Sequence, residues 1–227
     1  MSGAAVPIRR MPAIDRKHQL LENALDVFSR KGFEGATTKE IAAAAGVTEA
    51  IIFRHFPTKQ ALYTAVLDYK LQMHAASPWL EEVRACMDAE DDEGLFRGMA
   101  VQILRMYRND TRFERMILFA ALEGHDLALA HFREHAVPFF ELLNKYIRRR
   151  QAAGALRNVK PECILLATFA MVHQYGQDTQ MFGFPRFSSD ESVVEAFVSI
   201  LMNGVRARPS KPKAKSKSKR TSKSNPQ

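Results

Sequence analysis

Apolar residues recur at the three- and four-residue spacing of an amphipathic helix along most of the chain. No stretch of strand length alternates between apolar and polar positions. The pattern therefore predicts an all-α protein. The predicted helices span residues 16–31, 38–45, 49–56, 59–74, 79–88, 92–109, 111–123, 127–151, 160–180 and 190–205.

Residues with capping and turn chemistry separate these helices. Thr37-Thr38-Lys39-Glu40 has the form of a capping box, in which Thr37 caps the helix and Glu40 reaches back. Pro138 falls inside the segment 127–151 and is expected to kink or split it. The other expected N-caps are Asp15, Thr48, Asp110 and Asp126, and the expected stops are Gly32, Gly46, Gly124 and Gly154.

Two of the predicted helices are too short to be stable alone in water. They lie together in TTKEIAAAAGVTEAIIFRHFPTK, residues 37–59, and are joined through a turn at Gly46. This arrangement is typical of a helix-turn-helix unit. Ile52 and Phe56 are four residues apart and are expected to face a small core formed with Phe28, Ile41, Ala42 and Val47.

The opposite face of the second short helix would then point outward. It carries Glu49, Ala50, Phe53 and Arg54, and Ile51 and His55 lie at its edges. Isoleucine and phenylalanine on an outward face need a partner, and the major groove of DNA offers one. A Gly-broken helix pair alone is weak evidence, because many helical bundles contain one.

The full spacing from Thr37 to Lys59 resembles the DNA-binding domain of tetracycline-repressor-like (TetR family) transcription regulators. The resemblance covers about residues 16–67 and is most specific in AGVTEAIIFRHFPTKQAL. The residues that carry it are Ala24, Phe28, Gly32, Phe33, Thr37, Thr38, Ile41, Ala42, Ala45, Gly46, Val47, Phe53, His55, Phe56, Lys59 and Leu62.

The resemblance implies a role for each matching residue. Thr37 and Thr38 would hold a phosphate, and His55 and Lys59 would bind others. The chain has Phe53 where the family usually has tyrosine, so a phosphate-binding hydroxyl is missing. It has Ile51 where threonine or serine is common, which leaves only apolar contacts there. The predicted DNA-binding residues are Thr37, Thr38, Thr48, Glu49, Ala50, Ile51, Phe53, Arg54, His55 and Lys59.

The net charge of +8 is concentrated at the chain ends. Residues 206–227 hold nine Lys or Arg and no acid, whereas residues 61–205 hold 15 basic and 19 acidic residues. Basic ends suit an anionic polymer such as double-stranded DNA. The predicted organisation is a flexible arm (1–14), a helix-turn-helix domain of three helices (15–60), a helical effector-binding and dimerisation domain (61–205) and a disordered basic tail (206–227).

The middle of the chain is rich in Met and Phe at helical spacing. Such stripes are usually plain core, but the resemblance implies a small-molecule cavity here. The candidate lining residues are Met99, Ile103, Met106, Met116, Phe119 and Phe169.

His131 and His135 are spaced four apart and could share a metal. No third ligand stands at a matching spacing, so we favour a solvated or interface pair and expect no metal or cofactor.

Helices 160–180 and 190–205 are apolar nearly all round, which predicts burial on two sides. A homodimer through a four-helix interface would satisfy this, and the resemblance implies that arrangement. A larger monomer core is the alternative.

Other classes of protein find little support. No secretory signal and no run long enough for a transmembrane helix is predicted, and two isolated cysteines suit a reducing cytoplasm. No phosphate loop or nucleophile–base pair indicates an enzyme. We predict a homodimeric repressor that a small apolar effector releases from a palindromic operator. The alternatives are an activator of the same fold and a nonspecific nucleic-acid-binding protein acting through its tail.

Overall fold

The computed structural model describes residues 13–75, 77–186 and 188–206. This part of the chain folds into α-helices and contains no strand, which confirms the all-α prediction. The predicted tail after Arg206 and the predicted arm before Ala13 lie outside the described residues. The helices are α1 (Ala13–Gly35), α2 (Thr38–Ala44), α3 (Glu49–His55), α4 (Lys59–Ala75), α5 (Trp79–Asp88), α6 (Asp92–Asn109), α7 (Arg112–Leu122), α8 (Asp126–Ala152), α9 (Pro161–Gln180) and α10 (Asp190–Val205).

Local capping chemistry sets most of the helix ends. The capping box at Thr37 is formed: its hydroxyl accepts from Glu40 N at 3.2 Å, and Glu40 Oε2 accepts from Thr37 N at 3.2 Å. Thr48 stands at the predicted N-cap of α3 but makes no capping hydrogen bond with its side chain. The predicted stops at Gly46, Gly124 and Gly154 all have positive φ.

Three local predictions were wrong in detail, and of the two outcomes expected at Pro138 one was wrong. Helix α1 begins before Asp15, and α7 begins after Thr111 rather than Asp110, whose carboxylate instead accepts from Arg112 N. His125, not Asp126, is the N-cap of α8, because its Nδ1 accepts from Ala128 N at 3.2 Å. Pro138 does not split α8, because the neighbouring turns of this long helix tolerate one missing backbone hydrogen bond.

Two hydrophobic clusters divide the core of the described chain. One gathers α5, α6, α9, α10 and the second half of α8. The other joins α1–α4 with residues of α7 and α8, so the short helices share a core with the second half of the protein. Leu62, Tyr63, Val66 and Leu67 of α4 are fully buried in this N-terminal cluster.

Helices α9 and α10 each bury one face against the core and leave the other in solvent. On the outer faces Leu166 is 69% exposed and Ile200 is 62% exposed. Small residues such as Ala167, Ala170 and Ala196 flank them. The searched helices include none that is both long and apolar enough to cross a membrane.

Helix α1 is broken near its end by Gly32, which has φ 71°. The carboxylate of Glu123, at the end of α7, accepts hydrogen bonds from the backbone N–H groups of Phe33 (2.9 Å) and Glu34 (3.3 Å). A Cβ on Gly32 would overlap that carboxylate. Glycine is therefore required at this break both by its backbone conformation and by the close approach of Glu123.

Replacing Gly32 with alanine should lower the free energy of unfolding by about 2–3 kcal/mol, because the left-handed conformation is strained and Glu123 must withdraw. Urea denaturation of the purified protein would measure the change. Gly98→Ala is the control, since Gly98 lies in α6 and a methyl group added there would meet open space. It should stabilise by about 0.5–1 kcal/mol. If the two substitutions change the free energy of unfolding equally, glycine is not required at the break in α1.

Candidate nucleic-acid interface and interior cavity

The second short helix, α3, is held on the core by two side chains. Ile52 is 0% exposed and Phe56 is 4% exposed, as the sequence predicts, and both belong to the N-terminal cluster. Each buried side chain contributes about 2 kcal/mol of transfer free energy. The turn before α3 is closed by hydrogen bonds from Gly46 N to Ala43 O (3.1 Å) and from Val47 N to Ala42 O (2.9 Å). Burial and turn geometry together fix how α3 stands on the protein.

The outer face of α3 is open to solvent. Ala50 and Arg54 are exposed and Phe53 is 44% exposed, whereas Ile51 is partly buried. Within the described residues Arg54 forms no ion pair. An unpaired guanidinium beside an exposed phenyl ring suits contacts with base edges and the sugar–phosphate backbone.

Two of the predicted contacts bind each other instead. The Thr38 hydroxyl donates to Glu49 Oε2 at 2.7 Å and so joins α2 to α3. The Thr38 hydroxyl proton is thereby occupied, and a phosphate could take it only by displacing Glu49. Thr37 differs, because its hydroxyl accepts from Glu40 N and keeps its own proton to donate. Thr37 and exposed Thr48 remain candidates for phosphate contacts.

Two basic residues predicted to bind phosphates, His55 at the end of α3 and Lys59 at the start of α4, are partly engaged by the protein. Lys59 Nζ donates to the carbonyls of Phe33 (2.8 Å) and Ala36 (3.1 Å) and lies 4.4 Å from the centre of the Phe33 ring. Its ammonium therefore anchors the turn between α1 and α2 and has one N–H left for a phosphate. Nε2 of His55 is shielded from solvent and has no hydrogen-bond partner among the described residues.

The helix-turn-helix unit is joined to the rest of the protein through α7. Tyr63 of α4 donates to Met116 O at 3.3 Å, and Arg115 Nε donates to Ser29 O of α1 at 3.1 Å. The rings of Tyr63 and His125 are stacked 5.1 Å apart. Sequence periodicity gives no sign of these contacts, because their partners lie far apart along the chain.

A charged network reinforces this junction. Arg112 of α7 binds both Glu22 of α1 and Asp110, and Lys70 of α4 binds Asp110 at 3.2 Å. Burial alone would raise the pKa of Asp110, but the hydrogen bonds from Arg112 and the charge of Lys70 hold that pKa well below its usual range. Nearby, His131 Nε2 lies 2.7 Å from Asp68 Oδ1, so one member of the predicted histidine pair joins α8 to α4.

A cavity of about 350 Å³ lies between the helices α4–α9. Four of the residues predicted to line an effector pocket lie on its walls: Met99, Ile103, Met106 and Phe169. Two other predicted lining residues lie elsewhere. Met116 faces the opposite side of α7 and is fully buried in the N-terminal cluster, and Phe119 lines a separate shallow pocket near Phe182.

The cavity also holds polar groups that the sequence analysis missed. Burial raises the pKa of the Glu114 carboxyl to about 7, and burial lowers the pKa of His173. His173 Nδ1 lies 3.1 Å from the Tyr107 hydroxyl, whereas both Glu114 oxygens are shielded without a partner on another residue. The signal available was the one acid, Glu114, among the mostly apolar residues of the segment 113–122.

Comparison with known proteins agrees with this geometry. Residues 20–66 match the sequence profile of the bacterial regulatory proteins of the tetR family. The HTH-type transcriptional regulator RutR of Escherichia coli K12 is 25% identical over 160 residues, which cover 70% of this chain and 73% of RutR. The HTH-type transcriptional activator FasR of Mycolicibacterium smegmatis is 43% identical over 58 residues, 26% of each chain.

The fold also recurs in solved structures. The regulator AibR, in complex with isovaleryl coenzyme A and operator DNA, superposes with a TM-score of 0.61 at 21% identity, covering 82% of this chain and 97% of AibR. At this level of identity the likeness concerns the fold. The profile match adds that the helices around the turn are those of a DNA-binding domain.

Glu114 should make the stability of the protein depend on pH. A carboxyl whose pKa is higher in the folded state stabilises the fold at low pH, and that stabilisation disappears as the pH rises towards about 7. Relative to Glu114→Gln, the wild-type protein should lose about 2 kcal/mol of unfolding free energy between pH 5 and pH 7. Denaturant titrations of both proteins across this range would test it. If the difference in unfolding free energy between the wild-type protein and Glu114→Gln stays constant with pH, the burial of a carboxylate at this site is contradicted.

Proposed function

Since the chain is a TetR-family transcriptional regulator, we propose that it binds operator DNA as a homodimer and responds to a small molecule. The observation that carries the proposal is the outer face of α3. Its side chains lie in solvent, while Ile52 and Phe56 hold its inner face on the core. We assign base contacts to Ala50, Ile51 and Arg54, and phosphate contacts to Thr37, Thr48 and the remaining N–H of Lys59.

The other predicted contact residues have secondary roles in this proposal: Thr38, Glu49, Phe53 and His55. Thr38 and Glu49 hold α2 and α3 together, and would reach DNA only after their mutual hydrogen bond opens. Phe53 is exposed enough to contact a sugar or a thymine methyl group. Because Nε2 of His55 is shielded from solvent, Nδ1 is the ring nitrogen that could bind a phosphate.

The dimer is proposed from the outer faces of α9 and α10. Leu166 and Ile200 are large, exposed and flanked by small residues, so two such faces could pack closely in a four-helix interface. A two-fold axis there would present two copies of α3. Successive major grooves lie about 34–36 Å apart, which sets the spacing that the dimer must offer.

The response to a small molecule is proposed to pass through α4. This helix begins at Lys59, four residues after α3 ends, and its Leu71 lines the cavity. A molecule that fits the cavity better in one position of α4 would shift the population of dimers able to span two grooves. The AibR complex contains both a small molecule and operator DNA, which supports such a response in this fold.

Whether DNA binding represses or activates depends on where the operator lies relative to the promoter. We favour a repressor in the cytoplasm, with an activator as the alternative because FasR is named as one. A nonspecific nucleic-acid-binding protein acting through the basic tail, residues 206–227, would bind unrelated DNA as tightly as its own upstream region.

Arg54→Ala should weaken binding to the operator about tenfold or more, and should lower the ratio of operator to random-DNA affinity. The operator would first be located by protection mapping of the DNA flanking the gene, and affinities measured by fluorescence anisotropy at physiological salt. Arg84→Ala is the matched control, since it removes an equal charge from an exposed position on α5. If both changes weaken binding to the two DNAs alike, α3 does not recognise bases.

Leu166→Glu combined with Ile200→Asp should convert the dimer into a monomer, because four charges would be buried at the proposed interface. Analytical ultracentrifugation would give the mass of the variant. Its affinity for the operator should fall together with the loss of the dimer. Leu122→Glu, at a residue of α7 that is 84% exposed, is the control and should leave the mass unchanged. A double variant that stays dimeric would place the interface elsewhere.

A further inference from the structure

The cavity is lined mostly by apolar side chains, and two of its polar residues have side-chain atoms without partners. Among the described residues, four have shielded side-chain polar atoms without a hydrogen bond, and two of these four line this cavity. They are Glu114, through both carboxylate oxygens, and Trp79, through its indole Nε1. Buried polar atoms are paired in most proteins, so two unpaired groups on residues that line one cavity point to a polar partner that could bind there.

The walls between these groups are aromatic. Trp79 and Phe139 lie 5.3 Å apart in an edge-to-face arrangement, and Phe140 and Phe169 lie 5.1 Å apart. Phe113, next to Glu114 on α7, and Phe132 of α8 complete the walls. The faces of aromatic rings attract cations, and most strongly where water is excluded.

The cations near Glu114 do not neutralise it. Lys70 of α4 lies 3.2 Å from Asp110 and forms an ion pair with it, and Asp110 also binds Arg112. Arg105 of α6 lines a neighbouring pocket together with Glu114 but makes no hydrogen bond or ion pair with it. From α9, His173 faces the cavity, and burial disfavours its charged form. The charge of Lys70 lowers the pKa of Glu114, but burial outweighs it, and no cation among the described residues pairs directly with this carboxylate.

We propose that the cavity binds an organic cation, whose protonated amine pairs with Glu114 while its apolar body lies against the aromatic walls. An acceptor atom at the far end of the molecule would take the Trp79 N–H. This inference deepens the proposed function, on which it rests, and amends the expectation of a purely apolar effector. An anion would be repelled by Glu114, and a hydrocarbon would leave both carboxylate oxygens unpaired.

The test compares three molecules that differ only in one end group: phenylbutylamine, phenylbutanol and phenylbutyrate. Trp79 is the single tryptophan of the chain and lines the cavity, so its fluorescence reports binding without DNA. Calorimetry would give the affinities. The wild-type protein should bind the amine at least about tenfold more tightly than the alcohol, and the acid most weakly.

Glu114→Gln should reduce the preference for the amine over the alcohol to about one, since the amide keeps the shape and removes the charge. Glu141→Gln, at an exposed position on α8, is the control and should keep the wild-type preference. If the Glu114→Gln variant fails to fold, proton release measured on the wild-type protein alone is a second readout. Near pH 7 the amine should displace part of a proton from Glu114, and the alcohol should displace none.

Any one of four results would overturn the inference. The wild-type protein could bind the amine and the alcohol equally, bind the acid more tightly than either, or bind none of the three. The fourth result is a Glu114→Gln variant that keeps the wild-type preference for the amine. DNA release is measured separately, by anisotropy with the operator. If the amine binds through Glu114 but leaves DNA bound, the cation site stands and the proposed response fails. If a molecule without a positive charge binds the cavity and releases DNA, the response stands and the inference about the cation fails.

Discussion

The DNA-binding face depends on the hydrogen bonds that Glu123 accepts at the broken end of α1. Helices of seven residues such as α2 and α3 do not persist alone, so their positions are set by α1 and α4. Those two helices rest on α7, through the backbone of Phe33 and Glu34 and through Tyr63. The position of α2 and α3 is therefore determined by a helix that belongs to the second half of the chain.

Helix α7 meets both functional regions on different faces. Its Phe113 and Glu114 border the cavity, whereas Met116 and Glu123 contact the N-terminal helices. A packed helix moves as a unit because its interior neighbours are close-packed and resist local compression. A shift of α7 at the cavity would accordingly displace the helix-turn-helix unit, without any need for a flexible hinge between them.

The sequence alone was sufficient for features that depend on neighbouring residues. Most helix boundaries, the capping box at Thr37 and the burial of Ile52 and Phe56 follow from spacing and local chemistry. Features that depend on distant partners were missed. Nothing in the sequence indicated that Lys59 also binds two carbonyls of the α1–α2 turn, and Met116 was placed in the cavity although its side of α7 faces α4. A helical stripe shows that a side is buried, but not against which neighbour.

The hydrogen bond between Thr38 and Glu49 has a consequence for how DNA sequences would be distinguished. A carboxylate near the duplex is repelled by phosphates, and here it already has an internal partner. Only an exocyclic amino group, such as that of cytosine, could compete favourably for it. Opposite any other base Glu49 would keep its hydrogen bond to Thr38, so a mismatch would cost nothing at this position and a cytosine would gain only the difference between two hydrogen bonds.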